Sequence, residues 1–171
     1  MVPGDAAVWH RDVVEELVRR FDIRRVYEKV PPHITLVPPF ETEHIDAVKA
    51  VVGELLRQRR GLGSFRVVGF GRFGERTVFT DVRAEEAMYR FVDDLRTRIR
   101  GVAPMTSEEP VHPWRPHVTV ADQLASEEAA RVWEYVQGIQ VPALALPFDA
   151  AVILRRVGNA WITEKLFPFG A

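Results

Sequence analysis

The chain has 171 residues, 47% of them hydrophobic, which is enough for one domain with a buried core. Its 23 basic residues nearly balance its 24 acidic ones, so a long nucleic-acid footprint, which needs a strongly basic face, is not expected. The absence of cysteine excludes disulfides, thiolate metal sites and thiol nucleophiles. Residues 1–10 do not resemble a signal peptide and no apolar run is long enough to cross a bilayer, so we expect a cytoplasmic protein with no membrane partner.

Helix-like and strand-like segments alternate along the chain. In chain order, apolar spacing and runs of branched or aromatic residues predict a helix around 14–21, a strand at 33–37, a helix around 45–55, strands at 65–70 and 77–82, a helix around 85–100, a strand at 117–121, a helix around 129–136, and strands at 151–155 and 161–167. Turns at Gly74 and Gly158 make neighbouring strands antiparallel. The pattern predicts an α+β fold rather than a doubly wound parallel sheet.

The second half of the chain repeats the order of the first. After His33, and again after His117, come a loop, a helix, a strand, a glycine turn and a further strand. As many residues separate His33 from Gly74 as separate His117 from Gly158. We interpret residues 1–171 as a single domain built from two similar repeats, at about 30–100 and 114–170. Residues 103–116 are predicted to form a long loop.

A short motif occurs once in each repeat. Pro-His-Ile-Thr-Leu at residues 32–36 returns as Pro-His-Val-Thr-Val at residues 116–120. Alternate residues of a strand point to the same face, so His33 and Thr35 are predicted to lie side by side, as are His117 and Thr119. If a pseudo-twofold axis relates the repeats, the two faces meet across a cleft.

Two imidazoles and two hydroxyls around one cleft suit phosphodiester chemistry. A neutral histidine accepts a proton from the attacking oxygen and a protonated one donates to the leaving oxygen, each transfer contributing roughly 10²–10⁴-fold in rate. Threonine hydroxyls can bond the non-bridging phosphate oxygens. Arg115, on the face of His117, is either a substrate-binding residue or a solvated loop arginine. This arrangement requires no metal or other cofactor. The structural alternative is two ordinary strand histidines satisfied by hydrogen bonds, and the repetition of the motif favours a site.

The motifs His33-Ile-Thr35-Leu and His117-Val-Thr119-Val resemble those of the two-histidine (2H) phosphoesterase superfamily, which includes 2′-5′ RNA ligases and cyclic nucleotide phosphodiesterases. The chain also has Pro-Pro-His, Arg-Pro-His and Gly-Asn-Ala-Trp in matching places, and is most similar to small bacterial phosphoesterases with no generally assigned substrate. The resemblance implies a bilobal fold of two small antiparallel sheets with helices outside and a central cleft. It also implies metal-independent opening of 2′,3′-cyclic phosphates, or joining of RNA ends through 2′-5′ linkages. It makes His33 and His117 the acid–base pair and Thr35 and Thr119 phosphate ligands; it favours His117 as the base and His33 as the acid, an order that the sequence itself does not decide.

One feature departs from this superfamily. Its members usually begin with an apolar strand ahead of the first helix, whereas only Met1 and Val2 precede Pro3 and Gly4 here. We therefore expect an exposed sheet edge in the lobe that contains the N-terminus.

Several other signals are given structural interpretations. The segment 69–74 fits a dinucleotide-binding glycine pattern, but a strand follows it instead of a helix, so a hairpin is predicted. His10 and His44 are predicted to be surface residues at helix starts, and the spacing of His112 is poor for zinc. Three aromatic residues are predicted to pack in the core or in loops, with stacking on a base as the alternative: Phe40, Trp114 and Trp161.

Two functions remain at this point. The first is a hydrolase or ligase that acts on a small nucleotide or an RNA end by paired-histidine acid–base catalysis. The alternative is a binding module of the same fold that holds a nucleotide or RNA end without chemistry. The sequence makes no prediction about oligomeric state.

Overall fold

A computed structural model of the chain describes residues 2, 4–28, 30–59, 62–103, 113–143 and 145–169. The four predicted helices and five of the six predicted strands are confirmed, and the fold is of the α+β class. No helix in the described part of the chain is long and apolar enough to cross a membrane. In chain order the elements are α1 (Gly4–Phe21), a 3-10 turn (Val26–Glu28), α2 (Ile45–Arg57), β1 (Ser64–Phe73), β2 (Thr77–Ala84), α3 (Glu86–Val102), β3 (His117–Ala121), α4 (Ser126–Val136), β4 (Ala145–Pro147), β5 (Ala150–Val157) and β6 (Ala160–Pro168).

The strands form two antiparallel sheets. One has four strands in the order β3–β2–β1–β4, and the other consists of β5 and β6. Gly74 and Gly158 make the turns inside the β1–β2 and β5–β6 hairpins, with φ angles of +53° and +58° that glycine adopts without steric cost. The strand β4 was not predicted separately, because three residues are too few to show alternation.

The prediction of a strand at 33–37 is wrong. This segment has no regular secondary structure, and it bends at Leu36 and Val37. Prolines precede it at 31–32 and follow it at 38–39, and proline supplies no N–H to a ladder. Two of its carbonyl oxygens accept hydrogen bonds from side chains instead of from a neighbouring strand. Trp114 Nε1 donates to Thr35 O and Arg96 Nε donates to Leu36 O, each over 2.8 Å.

The interior is divided between two main clusters. Helices α2 and α3 bury one face of each helix against the β5–β6 hairpin, and α1 and α4 pack on the other side against β2 and β3. The burial on α3 follows helical spacing, which is why its stripe was readable in the sequence. The residues buried on α3 are Met88, Phe91, Val92, Leu95 and Ile99.

Each motif lies against the hairpin of the other repeat. The second motif forms β3, which pairs with β2 of the first hairpin. The first motif contributes partly buried Ile34, Leu36 and Val37 to the cluster that contains Ala151 of β5 and Phe167 of β6. Neither repeat therefore forms a self-contained lobe from consecutive residues.

A matched pair of leucine substitutions tests this core. Leu55, in α2, is 0% exposed, whereas Leu166, in β6, is 56% exposed. We expect Leu55→Ala to lower the free energy of unfolding by about 2–5 kcal/mol, through lost burial and the cavity left behind. Leu166→Ala should change it by about 0.5 kcal/mol or less. Urea unfolding of both variants measures the difference, and equal losses would contradict the assigned packing of α2.

Candidate active site

The two motif histidines are held in the same way. His33 Nδ1 lies 2.9 Å from the carbonyl oxygen of Pro31, and His117 Nδ1 lies 2.8 Å from that of Arg115. A carbonyl oxygen can only accept, so each Nδ1 carries a hydrogen and donates it. Neither Nε2 has a hydrogen-bond partner among the described residues. Each ring is therefore fixed in the tautomer whose Nε2 can accept or return a proton.

Both imidazoles are biased towards the neutral form. Burial lowers the pKa of His33, the hydrogen bond to Pro31 opposes this, and positive charge on His117 lowers the pKa further. Burial also lowers the pKa of His117, again opposed by its bond to the Arg115 carbonyl. The charge of Arg115 adds to the lowering, and the Asp81 carboxylate acts against it. A positive charge on His117 therefore disfavours a second positive charge on His33.

The sheet places the second motif on a face with aromatic neighbours. Asp81 of β2 stands opposite His117 of β3, and Phe79 stands opposite Thr119, so these four side chains share one face. The His117 ring centroid lies 5.0 Å from that of Phe79 and 4.8 Å from that of Phe73. These contacts fix the plane of the imidazole.

Arg115 is held beside His117 by three groups. Its Nη2 atom lies 3.3 Å from Asp81 Oδ2, and its guanidinium carbon lies 4.8 Å from the Phe79 centroid and 5.7 Å from that of Phe73. Half of the side chain remains exposed, so its other N–H groups are accessible to an anion. The structure thus brings the predicted substrate-binding arginine next to the second motif.

Gly71 explains the glycine pattern that first resembled a dinucleotide-binding loop. The predicted hairpin is confirmed, since β1 runs through this segment into a turn and β2. A Cβ at Gly71 would lie 2.4 Å from the Phe79 ring and 2.9 Å from Arg115 Nη2. Glycine is needed here because Phe79 and Arg115 occupy the space above it.

The backbones of the motif threonines are anchored by buried rings. Thr35 O accepts from Trp114 Nε1, and Thr119 O lies 2.8 Å from His10 Nε2. The prediction that His10 is a surface residue is wrong, because its side chain is 3% exposed. The signal was present in the sequence: His10 precedes Val13 and Val14 by three and four positions, on the buried stripe of α1.

A cleft of about 1120 Å³ adjoins the first motif. Its lining includes His33 and Thr35, but His117 and Thr119 are not part of it. The cleft therefore provides open space beside the first motif. Other side chains that line it come from the loop after that motif and from the β5–β6 hairpin: Phe40, Glu41, Arg155, Arg156, Trp161 and Glu164.

The other histidines and the tryptophan considered in the sequence analysis lie outside this group of side chains or outside the described residues. His44 is exposed at the start of α2, as predicted, and Trp114 is buried at 5% exposure, which confirms a packing role. His112 lies outside the described residues. In the described part of the chain, no group of three or more histidine and acidic side chains is arranged to hold a metal ion.

Comparisons with known proteins agree with this architecture. The family model of the 2′-5′ RNA ligase superfamily matches residues 4–160. Among solved structures, that of TT0787 of Thermus thermophilus is similar over 93% of this chain and 92% of that one, with a TM-score of 0.59 and 19% sequence identity. A search of curated proteins finds no match. The structural match confirms the fold of two antiparallel sheets with outer helices that the paired motifs predicted.

A glycine substitution tests the packing around Arg115. We expect Gly71→Ala to lower the free energy of unfolding by about 1–3 kcal/mol, because the added methyl group displaces Phe79 and Arg115. Gly101→Ala, in α3 where a Cβ meets nothing within 4 Å, should be neutral or stabilising by up to about 1 kcal/mol. Urea unfolding and the NMR signals of the His117 ring report on both. An unmoved ring signal in Gly71→Ala would contradict the arrangement.

Proposed function

The chain belongs to the 2′-5′ RNA ligase superfamily, and on that premise we propose that it is a metal-independent phosphodiesterase that opens 2′,3′-cyclic phosphates of nucleotides or RNA ends. The observation that carries the proposal is the matched pair of imidazoles, each with Nδ1 bound to a backbone carbonyl and Nε2 left for proton transfer. Each imidazole belongs to a motif that also supplies a threonine hydroxyl, at Thr35 and Thr119.

The reaction needs two proton transfers around one phosphorus atom. The base histidine accepts a proton from water at Nε2 while the water oxygen forms a bond to phosphorus. The bond from phosphorus to the 2′ or 3′ oxygen breaks, and the acid histidine donates its Nε2 proton to that leaving oxygen. The products are a phosphomonoester and a free hydroxyl. Thr35 and Thr119 donate hydrogen bonds to the non-bridging oxygens, whose negative charge grows in the transition state.

We assign His117 as base and His33 as acid. A base must begin neutral, and the positive charge of Arg115 beside His117 favours the neutral ring. Arg115 is also placed to bind the phosphate through the N–H groups that Asp81 does not engage. In the reverse direction, a 2′-hydroxyl replaces water as the attacking group and the same pair joins RNA ends.

The substrate is proposed to be small or to be bound at one end. The net charge of the chain is −1, and Arg115, the arginine on the face of the second motif, is paired with Asp81. A long nucleic acid held by its backbone needs several unpaired cations, each of which neutralises one phosphate.

Alanine substitution of either histidine tests the enzyme directly. With 2′,3′-cyclic AMP and with a short RNA that ends in a cyclic phosphate, we expect turnover in excess EDTA. His33→Ala and His117→Ala should each lose at least about 10²-fold in kcat, because one proton transfer is removed. His44→Ala, at an exposed histidine outside the site, is the matched control and should keep full activity.

The outcomes separate the candidate functions. Activity that survives both substitutions, or that requires a divalent metal, would refute paired-histidine catalysis. A folded wild type that binds the nucleotide but turns over no substrate would indicate the binding module instead. A p-nitrophenyl ester tests the assignment, since its leaving group needs no proton: His33→Ala should then recover much of its loss and His117→Ala should not.

The pH profile follows from the direction of the two pKa shifts. The base must be deprotonated and the acid protonated, so kcat/KM should be bell-shaped. Both pKa values are lowered, which moves both limbs to lower pH and the maximum below the ordinary histidine value of about 6.5. Asp81→Asn removes the carboxylate that raises the pKa of His117, so the limb due to His117 should move further to the acid side.

The control for this profile is Asp93→Asn, at an exposed carboxylate on α3. It should leave both limbs where they are. A maximum on the alkaline side of neutrality, or equal shifts in the two variants, would contradict the proposed electrostatics.

A further inference from the structure

The backbone carbonyl of each motif threonine is bonded by a ring N–H from a buried side chain outside its own motif. Trp114 Nε1 donates to Thr35 O, and His10 Nε2 meets Thr119 O, both over 2.8 Å. We propose that His10 and Trp114 are positioning residues that set the direction of the two threonine hydroxyls towards the phosphate. The inference rests on the proposed function, since it concerns the same site.

His10 replaces a hydrogen bond that the sheet does not supply. Among the described residues, β3 lies at the edge of its sheet with β2 as its only strand neighbour, and α1 packs along it. A carbonyl on the free edge of a strand has no ladder partner. Because that carbonyl can only accept, His10 Nε2 carries the hydrogen. The bond therefore fixes Thr119 from the side of the strand that pairing leaves free.

The histidine at this position also carries a cost in stability. His10 is 3% exposed, and its Nδ1 is buried with no hydrogen-bond partner among the described residues. A buried polar atom without a partner destabilises the folded state, whereas an apolar side chain would instead leave the Thr119 carbonyl without its donor. The contribution of the histidine is the hydrogen bond that its Nε2 donates to the Thr119 carbonyl. Burial lowers the pKa of His10, which favours the neutral ring.

Trp114 does the same for the first motif. The segment 33–37 has no strand partner, so the Thr35 carbonyl depends on the indole N–H. Trp114 precedes the second motif in the chain, so this bond also ties one motif to the other. Tyr89 of α3 packs edge-on against the indole, with centroids 5.2 Å apart, and fixes its orientation.

The position of the carbonyl matters because threonine has little freedom of its own. Its branched Cβ restricts the first side-chain torsion, so the direction of the hydroxyl follows the backbone. A hydrogen bond to a phosphate oxygen weakens steeply once distance or angle departs from the ideal. A shift of the threonine backbone is therefore expected to appear as a lower kcat, with little change in KM when the bond matters most in the transition state.

Double-mutant cycles test whether each ring acts through its own threonine. His10→Phe and Trp114→Phe remove the N–H and keep a ring, while Thr119→Val and Thr35→Val remove a hydroxyl. We expect His10→Phe to lower kcat about tenfold, as for one weakened transition-state hydrogen bond. The loss should persist in the Thr35→Val background and largely disappear in Thr119→Val. For Trp114→Phe, the loss should persist in the Thr119→Val background and largely disappear in Thr35→Val. Each cycle is therefore the control for the other.

A rescue variant and a direct structural readout complete the test. His10→Gln keeps a donor and should recover most of the activity lost in His10→Phe, and His10→Leu serves if the phenylalanine variant does not fold. With ¹³C-labelled threonine methyl groups, His10→Phe should shift the Thr119 signal and leave Thr35 unchanged, with the opposite result for Trp114→Phe. This readout does not depend on turnover.

The outcomes distinguish the two proposals. Losses that are additive in every background, with unmoved methyl signals, would overturn the positioning roles and leave the dependence on His33 and His117 intact. If the wild type turns over no phosphodiester, the proposed function fails, and the methyl signals alone decide whether the rings hold the threonines.

Discussion

The pairing of β2 with β3 is the constraint on which the site depends. It places the second motif on the first hairpin and sets Asp81 opposite His117 in the register of the ladder. The same pairing orders the segment before β3, because Val82 N donates to Pro116 O over 3.2 Å. Arg115 and Trp114 come from that segment, and they reach Asp81 and the first motif respectively. One ladder therefore orders the surroundings of His117 and the segment that bonds to the first motif.

The site is organised by hydrogen bonds more than by net charge. Both imidazoles are biased to neutrality by burial, and the arginine beside His117 is paired with a carboxylate. The phosphodiester of the proposed reaction carries a single negative charge, so its binding needs no strong excess of positive charge. In that proposal, orientation contributes most to the chemistry, through the Nδ1–carbonyl bonds of the histidines and the anchored backbones of the threonines.

Much of the fold could be predicted from the sequence, because its helices and hairpins are formed by residues that are close together in the chain. The helices follow apolar stripes, and both hairpins follow glycine turns between alternating runs. The segment 33–37 was predicted wrongly because its composition suits a strand while its flanking prolines prevent a ladder. The repeated motif identified the candidate residues, and their roles in catalysis stay a prediction.

What the sequence could not provide is the set of contacts between distant residues. The bonds from His10 to Thr119 and from Trp114 to Thr35 join different elements, and no local pattern encodes them. His10 was readable as a member of the buried stripe of α1, although its partner was not. Asp81 gave no signal of its own until the strand register placed it opposite His117.

The exchange of hairpins between the repeats has a consequence for how the molecule comes to be functional. Because the first motif rests on β5 and β6, and β3 completes the first sheet, no stretch shorter than nearly the whole chain holds both imidazoles in place. During synthesis the first repeat leaves the ribosome before β3, β5 and β6 have been translated. At that stage the edge of β2 that pairs with β3 has no partner strand. Contacts between residues far apart in sequence also slow folding, since loops must close before they form. Both imidazoles are therefore held in place only once β3 has paired with β2 and the first motif has docked against β5 and β6.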